Sequence, residues 1–572
     1  MSDALNFLPR RMRALPIPLG IVCASALLHG CSLFYDLSTS QCSVDADCSS
    51  FGEGLVCGAE HFCQIDTSGC ATHAECLDDP NNFGLSACIK DPAKDPTKTR
   101  GVCASLATPE CPVVLPIDTN MSERALRDGD PVIFGAFTNL SLGPRLYNYD
   151  LVVNDFQKGG GIYTSGGTRP VLMVACNGTA TVAEPLEFQA GLDRAMDHLI
   201  ALHVPGVVSG LEVPDLKRVF EQKGKDAKMF FMSSGESDNS LGAALQDNGL
   251  VWEVLPGGTG LARAYKPLVD RTISYLQGKG TLSGAARIAL VSAPDISLLA
   301  DMGNTLQSAP SDGGIIFNDK SVLDNIRDNN FYGTTTPSIV ADRDADLSAQ
   351  VDELLNFKPH IIVSTGASEF LSQIMPQLEQ QWDSRTGGQA RPFYILSPYQ
   401  YNRADDMSSV LTQSPTVQQR LIGLNAPAAT DPTVYDSYIP RFAAAYPDMK
   451  NYEGKENFYD SAYYLLYAAS AAAPSLTDGA SIATGMGRLL TGSSYNVGPK
   501  DMDEATGELI FGRSITLIGA GGPPNFNVVT GGKDDAGSVW CVDATQTTQS
   551  DVLRYQASDG TMQGTFPCFA DF

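Results

Sequence analysis

Cysteine is the residue type with the clearest chemical spacing in this chain. Eight of the 14 cysteines form two quartets, spaced Cys-x5-Cys-x8-Cys-x5-Cys and Cys-x5-Cys-x11-Cys-x14-Cys. The members of the quartets are Cys42, Cys48, Cys57 and Cys63, then Cys70, Cys76, Cys88 and Cys103. Such groups either close disulfides or hold zinc. Zinc is disfavoured because no Cys-x2-Cys occurs and only His61 and His73 lie nearby, so we expect disulfides and no metal.

The two quartets indicate two copies of one small module. They share the first spacing, an acidic residue near the second cysteine, and a Phe-Gly pair in the second spacing. Each copy is too short to bury a core, so bridges must hold it. We expect each quartet to close on itself, first to third and second to fourth, which is one of three possible pairings. The remaining pairs are expected to be Cys111 with Cys176 and Cys541 with Cys568.

A second candidate constellation is acidic. Asp342-x-Asp344-x-Asp346, with Glu353 at the twelfth position, resembles the two ends of a calcium loop. The sixth position is Leu347, where the sharp turn of that loop needs glycine. We therefore expect Asp346 to cap a helix that starts at Leu347. Hydrolase, nucleotide-binding and zinc-protease motifs do not occur in the sequence, so neither an enzyme nor a cofactor is expected.

Composition bounds the class of protein. Hydrophobic residues make up 43% of the chain and charged residues 18%, which is typical of a globular protein with a large core. Lys and Arg total 39 against 65 Asp and Glu, so the formal net charge is −26. Nucleic-acid binding needs clustered cations on the surface, so no nucleic-acid partner is expected.

The N-terminus has the pattern of an export signal. A segment with three arginines (residues 1–13) precedes an apolar stretch (residues 14–28), and the sequence then reads Leu27-Leu28-His29-Gly30-Cys31. This end resembles the bacterial lipobox, in which the cysteine is lipidated and becomes the new N-terminus. An uncleaved membrane helix is the alternative, but two prolines and a histidine weaken it. We expect lipidation of Cys31.

These features predict the domain organisation. We expect residues 1–30 to be a signal peptide, 31–41 a tether, 42–110 the two Cys-rich modules, and 111–572 the main domain. Acyl chains on Cys31 would anchor the exported protein to a membrane. In the lipoproteins that this N-terminus resembles, an aspartate after the cysteine often signals inner-membrane retention, so Ser32 favours the outer membrane.

The main domain alternates short apolar runs with helical patterns such as Leu146–Phe156, Ala190–Leu202 and Leu261–Gln277. The expected strands are Pro131–Phe137, Pro170–Ala175, Gly206–Ser209, Lys228–Met232, Gly249–Leu255, Ala286–Ser292, His360–Ser364 and Arg391–Ser397. This alternation indicates α/β architecture, with parallel sheets flanked by helices. A domain of about 460 residues is too long for one open sheet, so two lobes are expected.

Five segments of this domain resemble the type I periplasmic-binding family, above all the branched-chain amino-acid-binding proteins and receptor ligand-binding regions. The segments, in the order found in that family, are Val152–Ile162, Met232–Ser237, Asp352–Ser364, Asn457–Tyr467 and Ile515–Phe526. The resemblance covers Pro131 to Val542. It implies two α/β lobes that are joined by a hinge and close on a ligand bound between them.

The resemblance also implies candidate ligand-binding residues. In the first lobe they are Thr138, Asn139, Ser209, Ser234, Gly235 and Ser237. In the second lobe they are Thr365, Ser368, Tyr399 and Gln400. The tyrosines usual in the second lobe are replaced by small or aliphatic residues, which disfavours a free amino acid as ligand. Helix N-capping is the alternative role for each serine and threonine.

Two functions stay open at this point. The first is a lipid-anchored solute-binding protein that closes on a small polar ligand and serves a transporter or a sensor protein. The second is a structural or protein-interaction lipoprotein of the envelope, with the same fold and an unused cleft. The altered second-lobe loops and the Cys-rich modules favour the second more than a plain transport protein would.

Overall fold

The structure is a computed structural model. It describes residues 42–50, 55–57, 61–65, 69–79, 84–90, 100–140, 143–164, 167–179, 185–235, 241, 247–292, 297–307, 326–330, 340–366, 369–401, 404–425, 432–450, 455–473, 476, 478–533, 537–545, 548–556 and 560–572. Contacts divide the chain into two compact units, Met1–Thr67 and Ser68–Phe572. Within the described ranges, no helix combines the length and the apolar character needed to span a membrane.

The first unit contains the first Cys quartet. A 3-10 turn (Asp45–Ser50) precedes the antiparallel strands β1 (Leu55–Cys57) and β2 (Cys63–Ile65). The Asp47 carboxylate accepts the backbone N–H groups of Ser43 and Val44, which closes the turn. Disulfides join Cys42 to Cys57 and Cys48 to Cys63. Covalent bonds therefore replace a core in this short segment.

The second quartet folds in the same way but belongs to the second unit. Helix α1 (His73–Asp78) precedes the antiparallel strands β3 (Ser86–Ile89) and β4 (Val102–Ser105). Disulfides join Cys70 to Cys88 and Cys76 to Cys103, and Cys111–Cys176 and Cys541–Cys568 are also present. All six pairs match those expected from the sequence.

The second module packs on the main domain. Nε2 of His73 lies 3.1 Å from Oδ1 of Asp130, and Arg127 donates two hydrogen bonds to Asp78. Apolar side chains of the module also contact the core of the first lobe; they are Leu77, Leu85, Ile89 and Ala104. The module and the first lobe therefore share a buried interface.

The first lobe is built on a six-stranded sheet in the described part of the chain, with strand order β12-β11-β10-β6-β9-β5. Only the edge strand β5 is antiparallel to its neighbour. Its elements are β5 (Val113–Leu115), α2 (Thr119–Asp128), β6 (Val132–Thr138), α3 (Gly143–Lys158), β7 (Ile162–Thr164), β8 (Gly167–Arg169), β9 (Val171–Asn177), α4 (Pro185–Ala201), β10 (Gly206–Ser209), α5 (Val213–Val219) with a π-helical turn (Phe220–Gly224), β11 (Phe230–Ser233) and β12 (Val251–Glu253).

The second lobe is built on an eight-stranded sheet, again within the described residues, with strand order β14-β13-β15-β16-β17-β20-β21-β22. The elements up to β17 are α6 (Gly258–Ala262), α7 (Tyr265–Gly278), β13 (Ile288–Ser292), α8 (Ser297–Gln307), β14 (Ile326–Asn330), α9 (Val340–Phe357), β15 (Ile361–Thr365), a π-helical turn (Phe370–Ile374), α10 (Met375–Thr386), β16 (Phe393–Leu396), α11 (Pro398–Tyr401), α12 (Ala404–Gln413), a 3-10 turn (Pro415–Arg420) and β17 (Leu421–Asn425). Strands β13 to β17 are parallel.

The chain then returns to the first lobe and crosses back once more. The returning elements are α13 (Pro432–Ala445), α14 (Glu456–Ala472), α15 (Gly479–Met486), a 3-10 turn (Gly487–Leu489), β18 (Ser493–Asn496), α16 (Met502–Ile510) and β19 (Ile515–Ile518). The last strands, β20 (Ser538–Val542), β21 (Thr548–Gln556) and β22 (Thr561–Gln563), complete the second sheet in antiparallel fashion. Helix α14 is buried along nearly its whole length and packs on α3, β10 and β11.

The expected two-lobed α/β architecture is confirmed, and two local expectations were wrong. The pattern over Leu261–Gln277 predicted one helix, but the structure has a break between α6 and α7. Asp346 was expected to cap a helix that starts at Leu347, but α9 starts at Val340, so Asp346 lies inside it. Because the backbone from Asp342 to Phe357 is helical, it is not a calcium loop.

Candidate ligand-binding site

The carboxyl ends of the parallel strands in both lobes adjoin the segments that connect the lobes. Strand β12 ends at Glu253, and the chain enters the second lobe at Gly258. Strand β17 ends at Asn425, and the next described helix, α13, packs on the first lobe. The segment between β19 and β20 is a third connection between the lobes. Its residue Lys533 forms a parallel β-bridge with Pro256 of the first connection. Open α/β sheets bind ligands beyond these strand ends, which places the candidate site between the lobes.

One threonine in each lobe ends a central strand with an unsatisfied hydroxyl. Thr138 is the last residue of β6, which lies between β10 and β9, and Thr365 is the last residue of β15, which lies between β13 and β16. Both residues are fully buried, and neither Oγ1 has a hydrogen-bond partner among the described residues. A buried hydroxyl left unsatisfied costs about 1–3 kcal/mol. Both strand ends therefore carry a hydroxyl whose polar partner is missing from the described structure.

Ser209 shapes the turn after β11 through its backbone. Its carbonyl accepts the N–H groups of Ser234 at 2.8 Å and Gly235 at 3.2 Å. Its Oγ accepts the N–H of Leu211 at 3.4 Å, a long contact. A Cβ at Gly235 would lie 2.7 Å from the Leu211 carbonyl oxygen, so only glycine fits here without rearrangement. The structure therefore shows Ser209 and Gly235 fixing the two neighbouring loops against each other.

Ser234 is fully buried and bonded within the protein. Its Oγ lies 2.5 Å from Oη of Tyr149 in α3, and its carbonyl oxygen accepts the side-chain amide of Asn457 in α14. Burial raises the pKa of Tyr149 well above its usual value, so its hydroxyl stays protonated at neutral pH and can donate to Ser234. Ser234 thus connects the loop to two helices of the first lobe.

Sequence reasoning missed two basic residues at the same edge of the first sheet. Arg145 lies in the first turn of α3, with its guanidinium carbon 5.1 Å from the ring centre of Phe458. Lys455 directly precedes α14. Burial lowers the pKa of Lys455, and the charge of Arg145 lowers it further. No pattern in the sequence indicated this pair, because the two residues lie in segments about 310 residues apart that meet only in the fold.

In the second lobe, both the oxygen and the nitrogen of the Gln400 side-chain amide form hydrogen bonds. Oε1 accepts the N–H of Ser397 at 2.8 Å, and Nε2 donates to Oγ of Ser364 at 3.0 Å. Oγ of Ser397 donates to the carbonyl of Gly366 at 2.7 Å. Gln400 is fully buried. The geometry therefore assigns it to the support of the loops after β15 and β16.

The other sequence-derived candidates have varied placements. Tyr399 is half-buried, and its ring packs against the apolar core of the second lobe. Asn139 is half-buried directly after β6 and interacts within the protein. Ser237, Ser368 and Cys31 lie outside the described residues. The structure therefore brings Thr138, Ser209, Ser234 and Gly235 together at the carboxyl ends of the strands of the first sheet. It brings Thr365 and Gln400 together at the carboxyl ends of the strands of the second sheet.

Comparison with known proteins gives structural matches only. No protein-family model matches the chain, and no curated protein matches it. A crystal structure of a putative branched-chain amino acid ABC transporter from Silicibacter pomeroyi matches with a TM-score of 0.51 at 12% identity, covering 77% of this chain and 100% of that chain. The chain has the type I periplasmic-binding fold.

Two further structures with this fold are similar at a lower TM-score. A substrate-binding protein of an ABC transporter from Aeropyrum pernix has a TM-score of 0.48 and 11% identity, covering 73% of this chain and 94% of that chain. A substrate-binding protein from Desulfitobacterium hafniense, in complex with Leu, has a TM-score of 0.46 and 16% identity, covering 74% and 100%. These proteins are named as transport components.

Proposed function

We propose that the protein binds a small polar solute between its two lobes and serves transport or sensing. One observation carries the proposal: Thr138 and Thr365 end central strands of opposite lobes with fully buried hydroxyls that have no partner among the described residues. A polar ligand between the lobes would satisfy both hydroxyls at once. Closure would then be coupled to binding, since only the closed form offers contacts from both lobes.

Intrinsic fluorescence and calorimetric titration with a panel of polar solutes test the proposal. Trp252 is a useful reporter because it lies in β12, next to the first connection between the lobes. Its ring also packs edge-on against Phe526, which belongs to the third connection. We expect at least one solute to change the fluorescence and to bind with a measurable Kd. A protein that binds none of the amino acids, amides, sugars or small acids would favour the envelope-interaction function.

Matched valine variants locate the bound solute. Thr138→Val and Thr365→Val keep the shape of the side chain and remove the hydroxyl, so each should weaken binding about three- to tenfold. Thr386→Val is the control because Thr386 also has a buried, unpartnered hydroxyl in the described structure, at the end of α10. Equal affinity of all three variants and the wild type would place the solute elsewhere.

We further propose that the protein is exported and anchored by lipid on Cys31, with Ser32 favouring the outer membrane. The pattern of residues 1–31 and the six disulfides support export, because disulfides persist in oxidising compartments. Cys31→Ala should give an unprocessed protein without attached acyl chains, detected by mass spectrometry and detergent partition. Unchanged membrane partition of Cys31→Ala would reject the anchor without affecting the solute-binding proposal.

A further inference from the structure

The second Cys-rich module is attached to the first lobe near the amino ends of the strands. Nε2 of His73 lies 3.1 Å from Oδ1 of Asp130, which is two residues before β6. Arg127, in the last turn of α2, donates hydrogen bonds of 3.2 and 3.0 Å to the two carboxylate oxygens of Asp78 in α1. Two polar contacts from different parts of the lobe therefore hold the module at this end of the sheet.

A shared apolar core lies between the module and the lobe. Ala87 of β3 is fully buried and belongs to the same apolar cluster as three leucines of the first lobe. These leucines come from α2, β9 and α4; they are Leu126, Leu172 and Leu199. Rotation of the module on the lobe would expose this apolar surface to water, which is unfavourable.

The chain that leaves the module is fixed to α4 and to the far end of β9. The side chain of Glu110 accepts a hydrogen bond from Arg194 of α4, and its carbonyl oxygen accepts the N–H of Asn177 at 2.9 Å. The next residue, Cys111, is bonded to Cys176. Cys176 and Asn177 end β9, so these attachments lie at the carboxyl ends of the strands.

The attachments are thus spread over the whole height of the first sheet. Strand β9 has seven residues, and at about 3.3 Å per residue its two ends are about 20 Å apart. Segments that are held at both ends of a sheet, and at a helix that covers it, cannot pivot about a single contact. We therefore expect the module to keep one orientation on the first lobe.

The second lobe is separate in its packing. Its two apolar clusters are formed by residues between Leu261 and Phe572, whereas the module shares a cluster with the first lobe. The first connection between the lobes is short, since β12 ends at Glu253 and α6 begins at Gly258. Movement between the lobes can therefore be confined to such connections, whereas movement of the module would disrupt a shared core.

We propose that the second Cys-rich module and the first lobe form one rigid body, and that closure on a solute moves the second lobe relative to both. The moving lobe in this inference rests on the proposed solute-binding function. The chain reaches this rigid body through Cys70, so a lipid anchor on Cys31 would be joined covalently to the first lobe and not to the second. The second lobe would then carry the solute-dependent movement that a transporter or sensor protein detects.

Distance measurements by pulsed electron paramagnetic resonance on the full chain test both parts. Spin labels on genetically encoded side chains are used, because a new cysteine could exchange with the six disulfides. The labels replace exposed residues of the module, the first lobe and the second lobe, which are Val102, Glu221 and Gln380.

Without solute, we expect a single narrow distribution of distances between positions 102 and 221. The solute of the polar panel that binds most tightly should leave this distribution unchanged. It should shift the distances from position 380 to each of the other two by more than the widths of their distributions. The module and the first lobe would then behave as one body, and the second lobe as the moving part.

A loosened interface provides a positive control. Leu77→Asp combined with Arg127→Gln removes an apolar contact and the charged pair with Asp78, so it should broaden the distribution between positions 102 and 221. Arg385→Gln, which breaks an exposed ion pair of the second lobe, is the matched control and should leave that distribution narrow. Melting curves show whether each variant is folded, and Arg127→Gln alone replaces the double variant if that variant does not fold.

The outcomes separate the rigid body from solute binding. A broad or two-peaked distribution between positions 102 and 221 in the wild type, a shift of it with solute, or a loosened interface that stays as narrow as the wild type would overturn the rigid body. A solute that binds without moving position 380 would overturn the moving second lobe and leave solute binding intact. Wild-type protein that binds no member of the panel would overturn solute binding and the moving second lobe together.

Discussion

The hydroxyl oxygens of Tyr149 and Ser234 lie 2.5 Å apart and join α3 to the loop after β11. Tyr149 is fully buried, so this bond satisfies a group that has no access to solvent. The same loop is held from the other side by Asn457 of α14. The resemblance to the periplasmic-binding family made Ser234 a candidate ligand residue, and the structure shows that its polar groups bind helices of its own lobe.

Ser234→Ala should therefore lower stability more than ligand affinity. It removes one hydrogen-bond partner of the Tyr149 hydroxyl, which also interacts with Ser461, so the free energy of unfolding should fall by about 0.5–1.5 kcal/mol. Urea unfolding of Ser234→Ala, Tyr149→Phe and the double variant measures the coupling, and the double variant should be less destabilised than the sum of the two. Unchanged stability of Ser234→Ala, combined with a large loss of affinity, would instead make Ser234 a direct ligand contact.

Strand positions were predictable from the sequence because buried parallel strands are short apolar runs. The runs at Pro131–Phe137 and His360–Ser364 correspond to β6 and β15, which end at Thr138 and Thr365. A run shows where a strand ends, but it does not show which hydroxyl there already has a partner. That depends on residues distant in the chain, as with Ser234 and Tyr149, which are 85 positions apart.

The proximity of Arg145 and Lys455 was unpredictable for the same physical reason. Arg145 and Lys455 are separate charges in an acidic chain, and each taken alone is consistent with an ordinary surface residue. Their proximity follows from the return of the chain to the first lobe after β17, which brings α14 beside α3.

The start of α9 at Val340 was not predicted because Asp346 is a residue type that often caps a helix, although here it lies inside one.

Gln400 offers a second test of whether a candidate residue supports the neighbouring loops or contacts the ligand directly. Gln400→Leu keeps the size of the side chain but leaves the N–H of Ser397 and the hydroxyl of Ser364 without their amide partner. We expect a loss of about 2–3 kcal/mol in the free energy of unfolding. Gln413→Leu, on the exposed side of α12, is the matched control and should change stability by less than about 0.5 kcal/mol. Equal stability of the two variants would contradict the supporting role of Gln400.

Glu379 is a buried anion of the second lobe with three side-chain partners. It is 2% exposed and accepts hydrogen bonds from Arg391, Arg420 and Tyr394. Burial alone would raise the pKa of Glu379, but Arg420, Tyr394 and Arg391 outweigh burial and hold it below its usual value. The contribution of this carboxylate to stability is therefore present above the ordinary pKa of about 4.5 and lost as the pH falls through the lowered value.

Glu379→Ala should be strongly destabilising because it takes from Arg420 its carboxylate partner in the described structure and from Arg391 one of its two carboxylate partners. We expect the free energy of unfolding to fall by about 3–5 kcal/mol at neutral pH, and the difference from the wild type to shrink in acid. The control is Asp352→Ala, which breaks an exposed pair with Arg385 and should cost less than about 1 kcal/mol. Similar losses for the two variants in urea unfolding would argue against this role of Glu379.

Asp460 of α14 holds the loop that leads toward the third lobe connection. Its two carboxylate oxygens accept the N–H groups of Ala520 and Gly521, each at 2.7 Å. Lys533, which is buried, donates to the carbonyl of Gly521 at 3.1 Å. A Cβ on Gly519 would collide with the carboxylate, so glycine is required there. The carboxyl group and the ammonium group thus both bind this loop.

Burial raises the pKa of Asp460 to about 6, and the N–H of Gly521, the charge of Lys533 and the N–H of Ala520 oppose that rise only in part. The folded state therefore binds this proton more tightly than the unfolded state does. The contribution of Asp460 to stability is fully present below about pH 4 and is lost as the pH rises through about 6.

The measured quantity is the unfolding free energy of the wild type minus that of Asp460→Asn. This difference should fall by on the order of 1–3 kcal/mol between about pH 4 and about pH 6. Asp503→Asn, at an exposed position of α16, should show no such trend in urea unfolding from pH 4 to pH 7. A difference that grows with pH would mean that Lys533 and the two N–H groups outweigh burial, and that the ionised carboxylate is the form that the loop stabilises.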